Sequence, residues 1–138
     1  MNCSTFCVRS FICLLILSIS AFAHAADSAS LEGRKIDFLI ASIETLQGAQ
    51  FIRNGTAYSA KDAADHLRVK LRSAGSRVST AEDFIRLCAS VSSASGTPYQ
   101  IRFTDGRTIS SEAYLRQKLA EFTLEWAVRK NQRGETHV

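Results

Sequence analysis

The stretch Phe51-Ile52-Arg53-Asn54-Gly55-Thr56-Ala57-Tyr58 decides how the chain is read. Asn-Gly is the strongest short hairpin signal, because both turn residues tolerate positive φ. The stretch is therefore expected to form a small hairpin with Asn54 and Gly55 at its tip. On both sides of it the apolar pattern turns helical. Upstream, Ile36, Leu39, Ile40, Ile43 and Leu46 share one face of a helix, and Gly48 is a plausible stop. Downstream, Ser59-Ala60-Lys61-Asp62 is a variant of the capping box, in which the serine caps exposed N–H groups and the acid reaches back. Ala60, Ala63, Ala64, Leu67, Leu71 and Ala74 then form a buried stripe that Gly75 ends.

The same start signal recurs at Thr80-Ala81-Glu82-Asp83, opening a third helix with Ala81, Phe84, Ile85, Cys88 and Val91 on its apolar face. Residues Ser92 to Gly96 read as a loop by composition. Pro98 favours extended chain before it, and Tyr99 to Phe103 alternates as a strand, with Tyr99, Ile101 and Phe103 on one side. Asp105-Gly106 turns the chain, and Ser110 or Ser111 caps a last helix carrying Leu115, Leu119, Phe122 and Trp126. The tail from Asn131 is expected to fray. A lone strand leaves its backbone groups unpaired, so the later strand must join the hairpin. The expected fold is α+β: about four helices packed with a two- or three-stranded antiparallel sheet.

The N-terminus reads as a targeting segment. Arg9 supplies a positive n-region, Phe11 to Phe22 an apolar h-region, and Ala23-His24-Ala25 the small residues a signal peptidase reads. The apolar run is too short to span a bilayer comfortably, which takes ~20 residues. Cys13 follows Phe11-Ile12 and so lacks the small preceding residue of a lipoprotein acceptor. Cleavage after Ala25 leaves a single small domain over 26–138, periplasmic or secreted, and too short for two domains. Cys3, Cys7 and Cys13 depart with the leader, so Cys88 has no intramolecular disulfide partner. The remainder carries 16 Lys and Arg against 13 Asp and Glu, a balance of +3 that favours anions weakly and does not point to nucleic acid.

Chemistry-bearing residues are few. A structural zinc takes four ligands, and the processed chain offers one cysteine and two histidines, so no metal or cofactor is expected. His66 is the one general-base candidate of its type in the folded part, with Ser90, Ser92, Ser93 or Ser95 as possible nucleophiles and Asp65 or Asp83 to orient the ring. No G-x-S-x-G elbow accompanies it. The favoured reading is plainer: His66 hydrogen-bonds a backbone carbonyl or the serine loop. Arg53 beside the turn suits a bidentate grip on a carboxylate or phosphate, or equally an ordinary salt bridge. Arg68 and Arg72 share a helix face that reads as solvated, with Lys70 nearer His66. The loop at Ser92 to Gly96 can cradle an anion, but it follows a helix C-terminus, where the dipole disfavours negative charge.

Arg53-Asn54-Gly55, His66-Leu67, Lys70, Thr80, Phe84-Ile85, Ser90, Ser92-Ser93, Gly96, Pro98 and Tyr99 together resemble the YfeK-like family of small exported bacterial proteins. The resemblance covers Phe51 to Tyr99 well and the flanking helices more loosely. It implies export and a shared fold and supplies no reaction. Relatives carry a cysteine shortly before the hairpin, where this chain has Ala49-Gln50. The expected function is a non-catalytic binding module for an anionic small molecule, an envelope polymer or an envelope protein. Its surface would draw on Arg53, Asn54, Tyr58, His66, Lys70, Ser93, Ser95 and Tyr99. The alternative is a small hydrolase or transferase using His66 with a serine of the 90–95 segment. N-terminal sequencing of the exported protein should begin at Ala26; an intact leader or a lipid on Cys13 would overturn the processing scheme.

Overall fold

A computed structural model describes residues 27–134. The leader reading over 1–25, with its three cysteines, and His137 lie outside those residues. The chain divides after Leu31, and the unit that begins at Glu32 holds the sheet and the helices packed on it.

Helix α1 covers 27–44, and its stripe of Ile36, Leu39, Ile40 and Ile43 is buried as the spacing predicts. Gly48 follows at φ 71°, and a Cβ there would sit 2.7 Å from Thr104 Cγ2, so glycine is required by both conformation and space. Strands β1 (Gln50–Arg53) and β2 (Thr56–Tyr58) form the hairpin. Asn54 and Gly55 both take positive φ, 51° and 79°, the geometry of the tight turn that Asn-Gly prefers. Helix α2 (Ala60–Ala74) is capped by Ser59, whose hydroxyl accepts from the Asp62 N–H at 3.1 Å, and Gly75 closes it at φ 54°.

Helix α3 (Ala81–Phe84) is capped by Thr80 and runs straight into a wider π-helical turn at Ile85–Ala89. The Ser90 hydroxyl donates to the Ile85 carbonyl at 2.8 Å, tying the end of the widened turn back to its start. Glu32 reaches across from α1 and accepts from the Ala81 N–H at 2.8 Å, a tertiary cap on the start of α3. Ala81, Phe84, Ile85 and Cys88 are buried, but Val91 is 37% exposed. The π turn changes the angular step, so the stripe read at α-helical spacing fails at its last member. Val91 instead bridges Pro98 across the serine loop.

Among the described residues the sheet has four antiparallel strands in the order β2-β1-β3-β4, with β3 at Gln100–Arg102 and β4 at Thr108–Ser110. The expected sheet of two or three strands lacked β4. Its three residues are too few to show a period, and Ser110 ends the strand while also capping helix α4 (Ser111–Gln132). Thr108 and Ile109, both β-branched, pair with Arg102 and Ile101. Ser110 is the cap, not Ser111: its hydroxyl accepts from the Ala113 N–H at 3.1 Å.

One core unites these layers. Leu39, Ile43, Phe84, Ile85, Cys88, Ile101 and Leu115 are almost wholly removed from water. Phe38 and Phe122 join α1 to α4 with ring centres 5.2 Å apart, and the Tyr114 hydroxyl donates to the Ser42 carbonyl at 3.1 Å. No helix among the described residues is long and apolar enough to cross a membrane.

Cys88 is 1% exposed, and burial pushes its thiol pKa up. Cys88→Ser should therefore destabilise the fold by ~1–3 kcal/mol in urea melts, the cost of burying a poorly matched hydroxyl. A thiol reagent should label the wild-type protein only as it unfolds; prompt labelling of native protein would contradict this packing.

Candidate functional site

Strand register builds the site. Phe51 pairs with Tyr58 on one side and with Ile101 on the other. Side chains two residues apart on a strand share a face. Arg53 therefore lies on the same face as Phe51, and Tyr99 on the same face as Ile101. Helix α2 covers that face with two parallel rows, Ala63 with Leu67 and Asp62 with His66 and Lys70, each at four-residue spacing. Between sheet and helix lies a cavity of about 470 Å³, lined by Phe51, Arg53, Tyr58, Ala63, His66, Leu67 and Tyr99, with Ile52, Asp62 and Ser111 completing the wall.

The nitrogen-bearing side chains and Tyr99 gather at one end. Tyr99 is 8% exposed, and its hydroxyl lies 3.4 Å from His66 Nε2 and 3.4 Å from Lys70 Nζ. The Lys70 ammonium also donates to the Val91 carbonyl at 2.9 Å and sits 5.0 Å from the Tyr99 ring centre. Neither Arg53 nor Lys70 has a carboxylate within ion-pair distance among the described residues. Lys35, Arg68 and Lys118 are also half-buried, and each holds one: Glu32, Glu44 with Asp65, and Glu121; Lys130 near the end of the chain is half-buried without one. Arg53 on the cavity wall and Lys70 beside it are thus cations without counter-ions among the described residues.

Their mutual effect appears in the titration of His66. Burial holds the ring below its ordinary pKa, and the Arg53 and Lys70 charges add to that. Lys70 is lowered by burial first, and the Arg53 charge adds to it. Burial raises the Tyr99 phenol. At neutral pH the site therefore presents a neutral imidazole and a neutral phenol beside Arg53 and Lys70.

The residues expected to form the surface divide into two groups. Arg53, Tyr58, His66 and Tyr99 line the cavity, and Lys70 adjoins it through Tyr99. Asn54 and Ser95 do not line it. The Ser95 hydroxyl donates to Asn54 Oδ1 at 2.6 Å, and the Asn54 amide reaches Ser92 Oγ at 3.4 Å, which ties the hairpin tip to the serine loop. Ser93 is exposed on that loop, away from the lining. Arg68, on the helix face read as solvated, pairs with Glu44 and Asp65.

The carboxylates considered as orienters of His66 are engaged elsewhere. Asp65 pairs with Lys61 and Arg68. Asp83 accepts from Ser79, Thr80 and Arg86, which holds its carboxyl down at about 2. Tyr99 takes the orienting place instead. Of the serines, Ser90 is occupied by the Ile85 carbonyl. The side-chain partner recorded for the His66 ring is a phenol, not an alcohol. Sequence reading missed the apolar wall of Phe51, Ala63 and Leu67, since Ala63 and Leu67 were read as a buried stripe and Phe51 only as part of the hairpin; the register and the helix rows show that all three border an opening.

The chain belongs to a family of unknown function, DUF5329, whose model matches residues 30–123. It is similar to Uncharacterized protein YfeK of Salmonella typhimurium (strain LT2), with 30% identity over 92 residues, or 67% of this chain and 77% of that protein. The YfeK-like resemblance read from the hairpin, α2 and the serine loop is thereby established, and it indicates no activity. No solved structure matches the chain.

The electrostatics of the site make a direct prediction. The His66 ring should titrate below the usual histidine value of about 6.5 in an NMR pH series. As pH falls through that value the unfolded chain takes up the proton first, so stability declines from there down to the lower folded pKa and then levels off. Arg53→Ala should raise the His66 pKa by removing a nearby positive charge. An unchanged pKa would place Arg53 away from the ring.

Proposed function

We propose that the protein is a non-catalytic binding module, exported to the periplasm or beyond, that holds an anionic ligand in the cavity between the hairpin and α2. The reading is carried by one observation: Arg53 is half-buried on the cavity wall beside His66 and Lys70, with no carboxylate partner among the described residues. A half-buried guanidinium without a counter-ion gives up hydration for nothing unless an anion fills its place, and its planar fork suits a carboxylate or phosphate. Lys70 adds a second cation, and His66 and the Tyr99 hydroxyl add hydrogen-bonding groups beside it. The Asn54–Ser95 bond supports a fixed hairpin tip, so the site is largely formed before a ligand arrives. Export rests on the Ala23-x-Ala25 leader pattern. A hydrolytic reading draws less support, since His66 lies against a phenol and not a serine hydroxyl.

Native mass spectrometry of protein purified from the cell envelope tests the reading. The wild-type protein should carry a small anionic adduct, and Arg53→Ala and His66→Ala should fold normally, by thermal melt, while losing it. Loss of one charged hydrogen bond should weaken binding by about 1.5–3 kcal/mol. Variants that keep the adduct, or a hydrolytic activity that vanishes with His66→Ala alone, would refute the assignment.

A further inference from the structure

The cavity wall is divided, and the division specifies more than a negative charge. Along β1, Phe51 stands opposite Tyr58, while Arg53 lies two residues further toward the turn. Continuing the β1–β3 register by one residue places Arg53 across from Tyr99. The sheet side therefore runs from an aromatic end at Phe51 and Tyr58 to a cationic, hydroxyl-bearing end at Arg53 and Tyr99. Helix α2 adds two rows to the wall, Ala63 with Leu67, bare of polar atoms, and Asp62 with His66, which continues to Lys70 beyond the lining. Tyr58 is 40% exposed at the apolar end, an aromatic ring left open to solvent rather than packed in the core.

Resting on the anion-binding reading above, we infer that the ligand is an amphipathic anion: one carboxylate or phosphate head at Arg53, and an unbranched or ring-shaped apolar body against Phe51, Tyr58, Ala63 and Leu67. Each half of the site excludes a simpler ligand. A small inorganic anion would satisfy Arg53 and leave the apolar wall wet. A neutral apolar molecule would fill the wall and leave the cations without partners. The volume of about 470 Å³ falls within the roughly 300–1,000 Å³ usual for small-molecule sites and is too small for a folded partner. Asp62 is the one carboxylate on the lining, and the Ser59 hydroxyl donates to it at 2.6 Å; it lies one helical turn from His66 on the side away from Lys70. It thus sits away from the Lys70 end, where the head would lie.

Calorimetric titration with octanoate, acetate, inorganic phosphate and octanol separates the possibilities. Octanoate should bind more tightly than acetate by about tenfold or more, because its additional methylenes leave water. Its binding should show a negative heat-capacity change, the mark of apolar burial. Arg53→Ala should weaken octanoate binding by about tenfold or more, with Arg53→Gln as the second variant should the alanine form melt early. Tyr58→Ser, at an exposed position, should weaken octanoate and leave acetate unchanged. If acetate and phosphate bind as tightly as octanoate and depend on Arg53, the anion site stands and its apolar half falls. If octanol matches octanoate and ignores Arg53→Ala, the anion reading itself falls. Absence of binding by every probe overturns both.

Discussion

The pairing of β1 with β2 and β3 is the constraint on which the rest of this molecule depends. Asn54 and Gly55, both at positive φ, fix the hairpin so that Phe51 meets Tyr58. The same residue meets Ile101 on the other side, which brings the later strand into the sheet. A slip of one residue would turn every side chain to the opposite face. Ile52 would then replace Phe51 against the core, and Arg53 would leave the cavity. The turn geometry thus decides at once where the core is and where the charge is.

That dual role explains why the site sits where it does. Helix α2 follows β2 almost at once, with Ser59 as its cap, so it has little choice but to fold back over the face that Phe51 and Arg53 share. Its buried row of Ala64 and Leu67 anchors it to the core. The row of His66 and Lys70 then overhangs the tip end of the sheet. There the serine loop closes round it through Tyr99, Val91 and Asn54. Small residues in α2 matter here. Ala63 keeps the helix from filling the space beneath it.

Much of this architecture was legible in the residues. The Asn54-Gly55 turn, the caps at Ser59 and Thr80 and the inward set of Tyr99 and Ile101 all follow from local chemistry that each residue carries by itself, whereas α1 ends at 44 and Gly48, read as its stop, belongs to a separate turn four residues on. What escaped the sequence were features that depend on distant partners. Strand β4 is three residues long and shows itself only when paired with β3. The π turn at Ile85–Ala89 alters the helical step and frees Val91, and nothing in a stripe of apolar residues announces it. The partner of Arg68, Glu44, comes from another helix and cannot be read from the spacing of either. The same holds in reverse for Arg53, whose lack of a carboxylate among the described residues is a statement about neighbours and not about sequence.

The central claim is that Arg53 faces into a cavity with a cationic end and an apolar end. The most direct measurement is a crystal structure of the protein soaked with 8-bromooctanoate, in which anomalous scattering locates the bromine. The account predicts the carboxylate within hydrogen-bond distance of the Arg53 guanidinium and the bromine against Phe51 or Tyr58. A carboxylate bound away from Arg53, or a bromine projecting into solvent, would contradict it.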